Sequence, residues 1–481
     1  MDWYYLAIII YIIVLAGVLL RILFETHATT KTLAYILLCI FIPVLGILFY
    51  ITFGINYWRK KRYSKKMQED CGVLDHLKNN IEQYNKASVK KNVVVEQHAE
   101  LATMLIKDLG SPLTGSNKVL LLRNGETKFP ELLNALKEAK HHIHLQYYIY
   151  ECDETGMSII ELLIQKAKQG VLVRFIYDDF GSPGIKKKTE QRMRDAGIEI
   201  HPFYKVTFFL LANRLNFRNH RKIVIIDGHT AFTGGINVSD KYVNNGDEKK
   251  LYWRDTHVMI HGPAVYYLQY LFITDWNFCC GKPLIADTSY FAANGKTNEN
   301  CFVQIAAGGP DSLLPTVLYS ILQAIYLAKE EILITTPYFI PGDSLLDALC
   351  VAALGGLKVK LLVPGVSDSR FINKASKSYY TTLLKAGVEV YLYQKGFVHA
   401  KTMVTDSKLS IIGTANMDYR SFELNFEVNA IVYNASFAQQ LREMFYADLE
   451  DAGKINKEDW LARPWTHQLP EKIARLFSPV L

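Results

Sequence analysis

Two long uncharged apolar runs open the chain, and after them the apolar positions come only in short blocks separated by charge. The first run, Trp3 to Leu20, continues past Arg21 to Phe24, and the second, Leu33 to Ile55, holds 23 residues without a charge. Each is long enough for a hydrocarbon core about 30 Å thick, so two transmembrane helices are predicted. The first run is too long for a cleaved leader, lacks a basic segment before it, and is followed at once by the second. Pro43 and Gly46 interrupt the second run, where a kinked helix or a re-entrant hairpin is the alternative to a straight span. Beyond it lie Arg59-Lys60-Lys61-Arg62 and Lys65-Lys66, against only Arg21 and Lys31 around the link between the runs. Positive-inside reasoning then sets Arg59 onward, and with two spans the N-terminus too, in the cytoplasm. The basic cluster is also suited to holding anionic lipid.

From 67 to 115 the pattern is polar and helical, with a turn expected at Pro112-Leu113-Thr114-Gly115. Strands are predicted at Lys118 to Arg123, His144 to Tyr150 and Val171 to Tyr177. Helices are predicted from Phe129 to Lys140 and Gly156 to Gly170, with another ending over Gln191 to Ala196; Asn124-Gly125 reads as a turn. Continuously apolar strands alternating with helices predict an α/β fold with a sheet covered on both faces. The order then recurs: helix Ser320 to Lys329, strand Ile332 to Tyr338, helix Ser344 to Leu354, strand Val359 to Val363. His220-Arg221-Lys222 with Asp227 returns as His399-Ala400-Lys401 with Asp406. Gly234-Gly235-Ile236-Asn237 returns as Gly413-Thr414-Ala415-Asn416. His, Lys, Asp, Gly and Asn all keep one offset of 179 residues, which marks a duplicated β/α domain. The expected division is 1–58 membrane hairpin of two spans, 59–115 basic neck and helical adaptor, 116–300 first domain, and 301–481 second domain with a C-terminal helix.

Composition narrows the classes. Half of the 481 residues are hydrophobic and 21% charged, which excludes global disorder, and the short charged interruptions past residue 60 exclude a many-span transporter. A net charge of +7 suits an anionic partner, nucleic acid or acidic phospholipid. Seven cysteines in no metal-type spacing fit a reducing compartment.

On a strand, positions i and i+2 share a face, so His220 and Lys222 point one way, as do His399 and Lys401. If the two domains pack about a pseudo-two-fold, these four and Asn237 and Asn416 converge on a pocket suited to a singly charged phosphodiester. No carboxylates cluster for Mg²⁺ and no Cys/His spacing suits zinc, so neither metal nor cofactor is expected, and the ammonium groups supply the electrostatics. One neutral imidazole attacks phosphorus while the other, protonated, serves the leaving and entering alcohols. Each imidazole needs an orienting carboxylate, and Asp255 and Glu427 are the candidates. Asp227 and Asp406 complete the motifs; they lie on the opposite parity, before turns, and read as supports for turn backbone or a partner base.

The doubled H-x-K-x4-D with its following Gly and Asn resembles the phospholipase D superfamily. Pro43 to Gly54, Asn219 to Lys222, Trp253 to Thr256, Pro337 to Pro341 and Ser478 to Leu481 are similar to the bacterial two-span cardiolipin synthases. The resemblance implies two fused phospholipase D-type β/α domains behind two transmembrane helices, in the cell membrane, the catalytic domains facing the cytoplasm. It implies transfer of a phosphatidyl group between two phosphatidylglycerol molecules through a phosphatidyl-histidine. His220 would be the nucleophile and His399 the acid/base, with Lys222, Lys401, Asn237 and Asn416 on the phosphate. The motif departs from symmetry at one position, Gly235 against Thr414; both are expected at the substrate, where a hydroxyl in one half only would make the two half-sites bind phosphate unequally.

Hydrolases, other phosphatidyltransferases such as phosphatidylserine synthases, and nucleases use the same motifs, and an inactive membrane scaffold is the non-enzyme alternative. The apolar runs oppose a nuclease, as does the added segment Val206 to Leu211 between Lys205 and Arg214, which suits a membrane surface; nucleic acid is not the expected partner. Two intact motif copies oppose a dead site. Lipid, with phosphatidylglycerol as substrate, is the expected partner, and the chain is compatible with an oligomer. The tail presents Leu469, Ile473, Leu476 and Phe477 on one helical face and is expected to dock on the second domain.

Overall fold

The computed structural model describes residues 3–25, 29–50, 92–203, 217–246, 250–280, 284, 288–291, 299 and 301–478. The basic cluster Arg59 to Lys66, the neck after it, the segment Val206 to Leu211 and the last three residues lie outside this set. Trp3–Glu25 forms one helix (α1), Thr29–Phe41 a second (α2) and Pro43–Phe49 a third (α3). Among the described residues, α1 is the one helix long and apolar enough to cross a membrane. The second apolar run is broken at Ile42, whose φ of −129° and ψ of 69° leave the helical region. Pro43 then begins α3 in the first turn, where its missing N–H has no partner to lose. The two expected spans are therefore one long helix and one interrupted run.

Fifteen strands form one continuous mixed sheet among the described residues. From one edge inward the first repeat gives Glu199–Pro202, Leu172–Tyr177, His142–Tyr147, Ile223–Ile226, Thr230–Gly234, Thr256–His261 and Thr114–Arg123. From the middle outward the second gives Cys301–Gly308, Glu427–Tyr433, Leu409–Gly413, Thr402–Thr405, Glu331–Thr335, Lys358–Pro364 and Glu389–Tyr393, with Ala452–Lys454 at the edge. The halves are mirror sequences of one strand order. They join where Thr114 pairs with Val303 and Asn117 with Cys301, antiparallel.

Each H-x-K sits just before a short strand in the interior of its half. Ile223–Ile226 lies between His142–Tyr147 and Thr230–Gly234, and Thr402–Thr405 between Glu331–Thr335 and Leu409–Gly413. The alternation explains why the first of these strands is wholly apolar. Ile223 and Ile225 enter a core with Leu268, Phe272 and Trp276 of the helix Val265–Cys279. Val224 and Ile226 enter the opposite core, with Leu145, Phe175 and Leu163. Both faces bury apolar area, so the strand cannot slip by one residue without exchanging its two cores.

Two local expectations are corrected. Asn124-Gly125 opens a helix, Asn124–Glu138, instead of making a free turn. Asn124 takes a left-handed φ of 60°, and its N–H donates to Asp255 O at 3.0 Å, so a tertiary contact sets this corner. The turn expected at Pro112 to Gly115 is absorbed into strand Thr114–Arg123, which carries a register shift between Thr114 and Asn117.

The C-terminal helix Trp465–Arg475 lies on the helix Arg370–Ala386. Glu471 and Ala474 are buried there, Arg475 covers the Tyr379 ring, and Tyr379 Oη reaches Ser478 Oγ at 3.0 Å. Most of its apolar stripe faces outward: Trp465, Leu469, Ile473 and Leu476 are exposed, while Phe477, just past the helix, sets its ring against Phe371 at 5.7 Å.

Candidate active site

The two histidines are held by the opposite repeats. His220 N–H donates to Phe426 O at 3.0 Å, and His399 N–H donates to Arg254 O at 2.7 Å. Short pairings fix these contacts: Gly396–Val398 runs parallel to Tyr252–Arg254, and Asn219 bridges to Phe426. The residue following each of these carbonyls is a buried carboxylate. Asp255 accepts from His399 Nδ1 at 2.7 Å, and the Glu427 carboxylate lies 3.0 Å from His220 Nδ1. The site is thus a crossed pair, each imidazole from one half oriented by a carboxylate from the other. With Nδ1 engaged, Nε2 is the nitrogen left to meet a reactant.

The lysines brace the same backbone. Lys222 Nζ donates to His220 O at 2.8 Å, and Lys401 Nζ donates to His399 O. Both are buried, as are the histidines and carboxylates. Burial lowers Lys222 to about 7, with Glu427 opposing and Lys401 adding to the fall. Burial likewise lowers Lys401 to about 8, against the pull of Asp255 and Glu427. Burial, then the Lys401 charge, pushes His399 down to about 3 although Asp255 opposes them. His220 is lowered by burial too, with Glu427 opposing and Lys222 assisting. Burial alone would raise Asp255; His399 and Lys401 outweigh it and hold the carboxyl below its usual value. The lysine of each repeat is felt at the histidine of the other. The two histidines and two lysines therefore share one field, and an anion placed among them would offset the burial that chiefly lowers their proton affinity.

Gly235 and Thr414 stand behind the carboxylates. A Cβ on Gly235 would lie 2.0 Å from Asp255 Oδ1, so only glycine leaves room for that carboxylate. In the other half the carboxylate is one methylene longer, and the Thr414 hydroxyl donates to Glu427. The departure from symmetry is thus a matched exchange, Gly with Asp and Thr with Glu. Asn237 accepts from Ile149 N at 3.2 Å and donates to Tyr242 Oη at 2.7 Å. Asn416 keeps a buried side-chain oxygen position with no hydrogen-bond partner among the described residues. An Asn amide can be turned to offer either end, so this position is able to donate to a reactant.

Asp227 and Asp406 lie beyond the strands, away from the imidazoles. Asp227 accepts three backbone N–H bonds, from Lys140, His141 and His142, at 2.7–2.9 Å. Asp406 accepts the same three from Lys329, Glu330 and Glu331 at 2.8–2.9 Å. Both have left-handed φ, 50° and 53°.

Several contributors had no signal in the repeat. Arg221, between His220 and Lys222, faces the other way and pairs with buried Asp275 at 2.8 Å, while the second repeat has Ala400 there. Arg254 pairs with Asp448 at 2.7 Å, anchoring the carbonyl that holds His399. Tyr148 sets its ring edge against His220 at 4.9 Å, and Trp253, Phe397 and Tyr242 surround His399 at 5.6–6.1 Å. Fully buried Lys128 donates to Ile236 O at 2.9 Å, just before Asn237.

Residues 132–276 and 321–449 match the family model described as "Cardiolipin synthase, PLD-like domain". Residues 7–54 match one described as "Phospholipase_D-nuclease N-terminal". The chain is 41% identical to a cardiolipin synthase of Alkalihalophilus pseudofirmus over 461 residues, 96% of this chain and 91% of that protein. It is 40% identical to the major cardiolipin synthase of Bacillus subtilis, covering 95% of each. Among solved structures, the phosphatidylserine synthase of Haemophilus influenzae aligns with a TM-score of 0.59, over 81% of this chain and 100% of that one. At 14% identity that is a likeness of fold. Doubled motif, crossed site, family model and near full-length relatives agree: the chain belongs to the phospholipase D-like cardiolipin synthase family.

Proposed function

We propose that the protein makes cardiolipin and free glycerol from two molecules of phosphatidylglycerol through a covalent phosphatidyl-histidine. The observation that carries this reading is the crossed pair, two buried H-x-K motifs with each imidazole tied through Nδ1 to a carboxylate of the other repeat. In the first step His220 Nε2 attacks phosphorus, the P–O bond to the glycerol headgroup breaks, and the leaving oxygen takes a proton from His399. In the second, the hydroxyl of another phosphatidylglycerol gives its proton to His399 and attacks phosphorus, and the P–N bond breaks. Asp255 at 2.7 Å orients His399 and would stabilise the imidazolium it becomes in the second step; the choice of His399 as the acid/base rests on the family resemblance, since Glu427 gives His220 a matching partner. Lys222, Lys401 and the free amide position of Asn416 would hold the phosphate oxygens, with Asn237 fixing Tyr242 beside them. Asp227 and Asp406 would serve as clamps on the strand ends, outside the chemistry.

The catalytic repeats would face the cytoplasm, held to the membrane by the N-terminal apolar segment, with the basic residues Arg59 to Lys66 against anionic lipid. The outward stripe of the C-terminal helix, flanked by Lys472 and Arg475, has the chemistry of a second membrane contact. The test is purified full-length protein in phosphatidylglycerol vesicles, with products separated by class. Cardiolipin and glycerol in equal amounts are expected; phosphatidic acid as the main product would make the protein a hydrolase instead.

A further inference from the structure

The interrupted second apolar run does more than bend. A Cβ on Gly46 would lie 2.3 Å from Leu38 O and 2.9 Å from Cys39 Cα, so α3 packs directly on the backbone of α2 at a point where only glycine fits. The Tyr35 ring meets the rings of Tyr50 and Phe49, at 5.4 and 6.4 Å. In a continuous helix, residues 35 and 50 would stand about 22 Å apart along the axis. The chain has therefore turned back, with its apex at Ile42 and Pro43. Ile22 of α1, Cys39 of α2 and Tyr50 are the buried centre of one small cluster, so all three pieces pack together. Length agrees: the 13 residues of α2 reach about 20 Å, short of a hydrocarbon core of about 30 Å, while the 23 residues of α1 reach about 35 Å.

We propose that α1 is the single membrane crossing and that α2 and α3 form a half-membrane hairpin, seated in the leaflet that faces the catalytic repeats. The hairpin enters and leaves by one face, so the N-terminal end of α1 and the catalytic repeats lie on opposite sides of the membrane. This reverses the two-span expectation, which put both on one side. Charge supports the hairpin. Arg21 and Lys31, beside the inner end of α1, then fall on the same face as Arg59 to Lys66, whereas two spans would divide these bases between the faces. At the break Ile42 keeps both of its backbone bonds, its N–H donating to Leu38 O at 3.0 Å and its O accepting from Gly46 N, which lowers the cost of an interrupted helix in the membrane. The hairpin deepens the membrane reading above, and it rests on that reading only for calling the inner face cytoplasmic.

The experiment reads sidedness, not activity, so it is separate from the test of the reaction. Full-length protein with its native cysteines replaced, and shown still to make cardiolipin, receives one cysteine by Asp2→Cys, Lys31→Cys or Lys118→Cys, the last on the exposed rim of the first repeat. Intact cells are treated with a membrane-impermeant maleimide, before and after permeabilisation. The hairpin predicts that Asp2→Cys reacts in intact cells, while Lys31→Cys and Lys118→Cys react only after permeabilisation. Reaction of Lys31→Cys alone in intact cells would mean two full spans and would overturn the proposal. Should cysteine replacement prevent folding, protease removal of an N-terminal peptide tag from intact protoplasts gives the same answer: cleavage supports the hairpin and protection refutes it.

Discussion

Asp255→Asn isolates the crossed carboxylate. The change keeps the shape of the side chain and the bond its Oδ1 accepts from Thr256 N at 2.7 Å, so the fold should hold. What it removes is the negative charge 2.7 Å from His399 Nδ1, in a place where both groups are buried. A hydrogen bond to a charged group is worth about 1.5–3 kcal/mol. If that is felt mainly when His399 becomes an imidazolium in the transition state, turnover falls about 10- to 200-fold. The loss should appear in kcat more than in KM, because the phosphate ligands are untouched. Asp255→Glu should not rescue, because the carboxylate is enclosed by Gly235 with no room for another methylene. The assay is initial-rate cardiolipin formation in phosphatidylglycerol vesicles from pH 5.5 to 9. A variant within twofold of the parent at every pH would refute the role given to Asp255.

The exchange behind the carboxylates predicts that Gly235→Thr, which copies the second repeat into the first, abolishes activity by displacing Asp255, while Thr414→Val loses about tenfold or less for one hydroxyl bond; full activity in Gly235→Thr would sink the steric argument. The lysines predict an alkaline limb. Lys222 and Lys401 are lowered to about 7 and 8, so kcat/KM should fall as pH rises through that window and the free enzyme loses its ammonium charges, and should be shifted upward in Lys222→Arg; a flat profile to pH 9.5 would contradict this. The outward stripe predicts that Leu469, Ile473 and Leu476 changed together to Ser lower turnover on vesicles far more than on a short-chain monomeric substrate, each residue being worth up to about 1.5–3 kcal/mol of burial in lipid; equal loss on both would make the stripe a packing surface.

The groups proposed to react were legible in the sequence because they are written twice at one spacing, which a lone core histidine or edge lysine is not. It named Asp255 and Glu427 as orienting carboxylates but could not say which histidine each serves. The crossing depends on the short pairings between Tyr252–Arg254 and Gly396–Val398 and at Asn219, which carry no periodicity of their own. The Gly235/Thr414 difference was visible as an asymmetry, but its meaning needed the 2.0 Å approach to Asp255. Asn124-Gly125 has the composition of a turn, yet Asn124 is held by Asp255 and Tyr252, so tertiary bonds override local preference. Arg221, Arg254 and Lys128 act through buried partners far away in sequence, Asp275, Asp448 and the Ile236 carbonyl, which a single chain read in order does not bring together. The apolar segment Val206 to Leu211 lies outside the described residues; the C-terminal helix docks on the second repeat as expected, but through Glu471 and Ala474, with Phe477 against Phe371, and leaves Leu469, Ile473 and Leu476 exposed.

The proposed reaction turns on a phosphatidyl group carried on histidine. Its most direct test is to quench the full-length enzyme in alkali during turnover of phosphatidylglycerol labelled at phosphorus, then locate the label by peptide mapping. Up to one phosphatidyl group per chain is expected on His220, absent in His220→Ala and converted to cardiolipin on a chase with unlabelled phosphatidylglycerol. Label on His399 would exchange the two roles. Cardiolipin formed at the normal rate with no label on the protein would contradict the covalent mechanism.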